Sequence, residues 1–120
     1  MSNPVTATVQ IDARPEVVYQ LITDLPTLTS LAEETVAMEL CQGDAIGKGT
    51  VFVGHNENSG RRWTTKCTVT DAEPGLVFAF DVRHMVFPIA RWQYDIVACD
   101  DGCRVTESTW DHPAAPQATR

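Results

Sequence analysis

No stretch of this chain approaches the roughly 20 consecutive apolar residues that a membrane helix needs. The N-terminus, MSNPVTATVQ, lacks the basic start and apolar run of a secretory signal, so the cytoplasm is the expected location. Basic residues are scarce: 9 Lys and Arg stand against 16 Asp and Glu, for a net charge of −7. The arginines are scattered apart from Arg61–Arg62, and no basic stripe forms. Nucleic acid and membrane surfaces are therefore not expected as partners. The three histidines, His55, His84 and His112, have no partner three or four residues away, which argues against a metal site. There is no Ser/His/Asp arrangement and no Gly-rich phosphate loop, and no cofactor is expected. Cys41, Cys67, Cys99 and Cys103 match no zinc or redox spacing. Cys99 and Cys103 flank DDG in a place where a hairpin would bring them near each other. In a cytoplasmic setting the four are read as reduced, structural thiols.

What is present is a period that changes twice. VTATVQID alternates Val5, Ala7, Val9 and Ile11 against polar residues, the mark of a half-buried strand. ARPEVVYQLITDLPTLTSLAEE then follows a 3.6-residue stripe through Val17 or Val18, Leu21 and Ile22. Pro15 suits a first helical turn, and Pro26 ends this helix and opens a second one through Leu28 and Leu31. From residue 35 the period returns to 2. TVAMELC, TVFVGHNEN, RRWTTKCTVTDAE, LVFAFDV, ARWQYDIVA and CRVTESTW read as strands, separated by turn signals such as NSG, Pro74–Gly75 and DDG. Short connections make the later strands antiparallel neighbours. The expected class is α+β: one domain over residues 1–112 with a long curved antiparallel sheet, followed by a Pro/Ala-rich tail over 113–120. By alternation, Phe52, Trp63, Phe78, Phe80, Trp92 and Tyr94 face the concave side, and Arg62, Lys66, Arg91 and Asp95 the convex one.

Four segments carry a family resemblance: ARPEVVYQLITDLPTL, GHNENSGRRWTTKCTVTDAEPG, ARWQYDI and DDGCRVTESTW. The order of elements over about residues 4–111 resembles the START/Bet v 1-like (SRPBCC) superfamily, and within it the polyketide cyclase/dehydrase-type domains. The resemblance implies a helix-grip fold, in which a curved sheet encloses a ligand cavity. Two departures stand out. Where the family carries an aromatic in a W-S-P-E segment, this chain has SLAEE, with Leu31 at that place. The long C-terminal helix that lids the family's cavity is expected to be absent, because HPAAPQATR is short and broken by proline.

The concave face points to binding of a hydrophobic small molecule, such as a lipid, an isoprenoid or a polyketide-like aromatic. The expected ligand contacts are Phe52, Asn56, Trp63, Thr65, Phe78, Phe80, Trp92 and Tyr94. An alternative is a cyclase or dehydrase that uses Glu107, on the inward phase of the last strand, or His55 as acid or base. A third is an interaction domain that uses an open sheet. His84, in RHMVFP, is read as a loop residue at the cavity mouth. Six aromatics left without a lid would expose an apolar patch too large for a monomer. A symmetric homodimer is the expected cover, with Trp92, Phe80 and Trp110 near the contact.

Overall fold

The computed structural model describes residues 4–32, 34–43 and 45–111. The expected punctuation resolves into β1 (Val5–Ile11), α1 (Pro15–Ile22), α2 (Leu25–Leu31), β2 (Thr35–Leu40), β3 (Val51–Asn58), β4 (Arg61–Glu73), β5 (Val77–His84), β6 (Phe87–Cys99) and β7 (Gly102–Asp111). The strands form one antiparallel seven-stranded sheet in the order β1-β7-β6-β5-β4-β3-β2. Consecutive hairpins therefore run from β2 to β7, and β1 closes onto the outside of β7. Glycines at left-handed φ turn the chain where turns were expected, among them Gly60 (81°) and Gly75 (77°). The β5–β6 turn is different. It has no glycine, and Met85 itself takes φ 57°. His84 is consequently not a loop residue. It is the last residue of β5, paired with Phe87, and its Nδ1 lies 3.0 Å from the Thr64 carbonyl oxygen.

Pro15 starts α1 and Glu16 favours its N-terminal dipole. α1 ends at Ile22, well before Pro26. The punctuation comes from Asp24, whose carboxylate caps α2 by accepting from the Thr27 amide at 3.1 Å and the Thr27 hydroxyl at 2.7 Å. Pro26 sits inside the first turn of α2. The buried stripe is Val18, Ile22, Leu25 and Leu28, whereas Leu21 and Leu31 face out. Leu31 thus does not replace a wall aromatic of the interior.

β4 and β6, at 13 residues each, are too long to stay flat, and single inserted residues bend them. Register shifts fall between Val69 and Asp71 on β4 and between the partners of Val82 and Arg83 on β6. A third shift, between Thr35 and Ala37, turns Val36 outward, away from the phase of Met38 and Leu40. The curl brings aromatic rings together. Phe52 meets Phe80 edge-on at 5.2 Å, Phe78 meets Phe80 at 5.4 Å, and Phe78 stacks on Tyr94 at 6.3 Å. These four rings are buried, with α1 and α2 packed against the same core.

That burial corrects the expectation of a wide wet aromatic patch. Only Trp63 and Trp92 of the six aromatics are even half-exposed. Phe80 is inaccessible as a contact between copies. Trp110 pairs with Arg91 on the convex side. The patch that motivated a homodimer does not exist in this form. The expected tail over 113–120 and His112 lie outside the described residues. Among the described residues no helix follows β7, and no helix is long and apolar enough to cross a membrane.

Candidate functional site

Strand register places concave-face residues in rows that cross the sheet. One row runs Val69, Phe80, Trp92, Thr109, Val5; the next runs Ala72, Phe78, Tyr94, Glu107, Ala7; a third runs Ile96, Val105, Val9. Burial falls along each row toward β1. Phe80 is 5% exposed, Trp92 and Thr109 are half-buried, and Val5 is 74% exposed. Ile96 and Val105 are buried, and Val9 is 56% exposed. The helices pack on β2, β5 and β6. The core therefore runs out before the sheet does, leaving an open apolar strip formed by Val5, Ala7 and Val9.

Glu107 stands beside that strip, half-buried, directly opposite Tyr94 and Ala7. Burial, then the negative charge and the accepting carboxylate of Glu107, push the Tyr94 hydroxyl well above the usual phenol range. Tyr94 is thus kept neutral, and Glu107 is the polar residue in register with the strip. His55 cannot join them. It lies on the convex face, paired with Ala37 and Thr64, with Nε2 3.8 Å from Glu39 Oε2. The two candidate acid/base residues are on opposite faces of the sheet.

The remaining expected ligand contacts separate into two groups. Phe52, Phe78 and Phe80 belong to the sealed core. Asn56 and Thr65 are buried at the far end of the concave face and largely satisfy each other. The Thr35 hydroxyl donates to Asn56 Oδ1 at 2.7 Å, and Asn56 Nδ2 donates to Thr65 Oγ1 at 3.2 Å, the Gly54 carbonyl at 3.3 Å and the Trp63 carbonyl at 3.4 Å. Gly54 makes room for this knot, since a Cβ there would come within 2.9 Å of Thr65 Oγ1. A hollow of about 400 Å³ at that end is lined mostly from the convex side, by His55, Glu57, Arg62 and Thr64, with Val36, Asn56 and Trp63. A second cavity of about 510 Å³, unforeseen from sequence, opens between the α1–α2 junction and β2, lined by Leu25, Met38, Leu40 and Ile46 among others. Its signal was apolar Ile46 inside an otherwise turn-rich loop.

The four thiols are free. Cys103 pairs with Ala98 and Cys99 with Gly102, so the two thiols are offset across the hairpin and on opposite phases. Burial pushes the Cys67 thiol up to about 12, with a hydrogen bond to Thr65 acting in the opposite sense, so Cys67 is not a nucleophile. On the convex side, Arg91 donates to Thr70, Asp81, Asp71 and Gln93, forming a polar clasp that holds β4, β5 and β6 together. The hydrogen bond from Thr70, followed by that from Arg91, holds the Asp71 carboxyl below its usual range. Among the described residues no group of three or more His, Cys, Asp or Glu could hold a metal ion.

Comparison with known proteins places this geometry. The family model described as polyketide cyclase/dehydrase and lipid transport matches residues 4–118. A crystal structure from Deinococcus radiodurans superposes with a TM-score of 0.75 at 17% identity, covering 97% of this chain and 87% of that one. A polyketide-cyclase-like protein from Corynebacterium glutamicum gives 0.65 at 23% identity, covering 95% and 69%. The major latex-like protein of Panax ginseng gives 0.67 at 14% identity, covering 97% and 85%. At these identities the likeness establishes the fold, the Bet v 1-like helix grip that the sequence resembles. No curated protein matches the sequence.

Proposed function

The chain belongs to the polyketide cyclase/dehydrase and lipid transport family, and on that premise we propose that it binds a hydrophobic small molecule on the open strip of its concave face. The observation that carries this reading is the exposure of Val5 and Val9 in rows whose other end is sealed core. Apolar residues on an inward face favour an apolar occupant, at ~25 cal/mol per Å² removed from water. Half-buried Trp92 supplies a flat wall, and Glu107 and Thr109 supply polar contacts at one point. This combination suits a mostly apolar molecule that carries one hydroxyl or other hydrogen-bond donor. Phe52, Phe78, Phe80 and Tyr94 act from behind, as the rigid floor, and Asn56, Thr65 and Trp63 fix the far end of the same face. Isoprenoid, lipid and aromatic polyketide-like ligands all fit that description.

The test is a titration with the neutral apolar fluorophore N-phenyl-1-naphthylamine. Saturable binding to the wild type is expected. Val9→Asp should weaken it about tenfold, because it sets a charge on the strip. Trp92→Ala should weaken it as well. Binding that ignores Val9→Asp would refute the assignment of the strip.

The enzymatic reading has one observation in its favour, the Tyr94–Glu107 pair facing that strip. A carboxylate held beside a neutral phenol could accept a proton from an enolisable polyketide-type substrate. The two readings part at Glu107→Gln. Binding alone predicts a change of a few-fold in affinity, whereas catalysis predicts that turnover disappears while apolar binding persists.

A further inference from the structure

The β5–β6 turn carries the two most exposed large hydrophobic side chains among the described residues, Met85 and Val86, followed in the chain by Phe87. Met85 is 78% exposed, Val86 77% and Phe87 44%. They are consecutive, at the tip of a hairpin whose non-glycine residue Met85 holds a left-handed φ of 57°. Immediately behind the tip, Lys66 on β4 stands directly opposite Arg83 on β5, both exposed on the convex face. Like charges directly opposite one another destabilise a strand pair. Neither residue has an ion-pair partner among the described residues. The segment from Arg83 to Pro88, RHMVFP, contains no carboxylate. An apolar point backed by two unneutralised cations thus protrudes from a chain whose net charge is −7.

We propose that the β5–β6 tip docks the protein on an anionic lipid surface, with Met85, Val86 and Phe87 entering the interface and Lys66 and Arg83 meeting headgroup phosphates. The inference rests on the binding reading, since it gives the apolar ligand a source. The shape of the tip favours lipid over protein. Three side chains on a hairpin point cannot supply the ~800 Å² per partner of a stable protein interface. A lipid surface needs no matching relief, and apolar insertion joined to basic residues is how interfacial segments hold it. The overall negative charge opposes approach at long range. Screening over ~8 Å at physiological salt leaves contact to be decided by the charges at the tip. Of the concave rows, the one through Phe80, Trp92, Thr109 and Val5 lies nearest the tip, so docking would bring that end of the strip toward the lipid.

The experiment is flotation of the full chain with vesicles of phosphatidylcholine alone and of phosphatidylcholine mixed with phosphatidylglycerol. The wild type should float with the mixed vesicles, more weakly at high salt. Met85→Asn with Val86→Asn, chosen because asparagine accepts the left-handed turn, should reduce the bound fraction at least tenfold. Lys66→Gln with Arg83→Gln should reduce it about fivefold or more and remove the salt dependence. All variants should keep the wild-type unfolding temperature and the wild-type affinity for N-phenyl-1-naphthylamine without vesicles. A wild type that stays unbound with both vesicle types overturns the docking proposal and leaves the ligand reading standing. Flotation without any fluorophore binding does the reverse. A vesicle-free dimer that the Asn variants dissolve would make the tip a protein interface and overturn the lipid assignment.

Discussion

Tyr94 and Cys67 are the residues whose protonation the fold controls most firmly. Both are buried, and both hold their protons more tightly than in an unfolded chain. A raised folded pKa gives stability that is complete below the unfolded value and is lost as pH rises past it. For these groups the loss begins at about pH 8.5 for the thiol and about pH 10 for the phenol. The unfolding temperature should therefore be level near neutrality and fall through pH 9–11. Tyr94→Phe should flatten the upper part of that fall, since it removes the proton and keeps the ring stacked on Phe78. An equally steep decline in Tyr94→Phe would mean that the Tyr94–Glu107 pair is not held as described. Asp71 works in the other direction. Its lowered pKa contributes stability that is present above the ordinary carboxyl range and is lost as pH falls through its folded value.

Among the elements, the strands were legible because alternation and turn residues agree in them. RRWTTKCTVTDAE is β4 residue for residue, and Arg62, Lys66, Arg91 and Asp95 do face out. The bulges were not legible. A single inserted residue leaves no mark in composition: strict alternation in TVAMELC puts Val36 in phase with Met38 and Leu40, yet Val36 is the inserted residue and turns out. The β5–β6 connection was expected as a loop over RHMVFP, but its tightness was not legible, since Met85 takes a backbone conformation that usually announces itself by glycine or asparagine. The β6–β7 turn shows the legible case. At Gly102 (φ 127°) an added Cβ would fall 2.1 Å from the Ile11 carbonyl oxygen, so β1 can lie against β7 only if this residue is glycine. Gly102→Ala should cost about 3 kcal/mol or more, from overpacking together with the disfavoured φ. Denaturant midpoints would measure it. A cost under about 1 kcal/mol would mean that β1 docks more loosely than its register implies.

For the whole molecule, the concave face could be read residue by residue, but not how much of it would be covered. Coverage depends on how far the bulged strands curl and where α1 and α2 come to rest, and neither quantity is encoded in alternation. Phe80 and Trp92 are cross-strand neighbours with identical sequence signals, yet one is core and the other is wall. The account comes down to the claim that the ligand lies where the core gives out, along Val5, Ala7 and Val9, beside Trp92 and Glu107. Backbone amide chemical-shift mapping with N-phenyl-1-naphthylamine tests this most directly. The predicted result is a contiguous set of shifts at residues 5–9, 92, 107 and 109, saturating together. Shifts clustered instead at Leu25, Met38 and Ile46, around the second cavity, would contradict it.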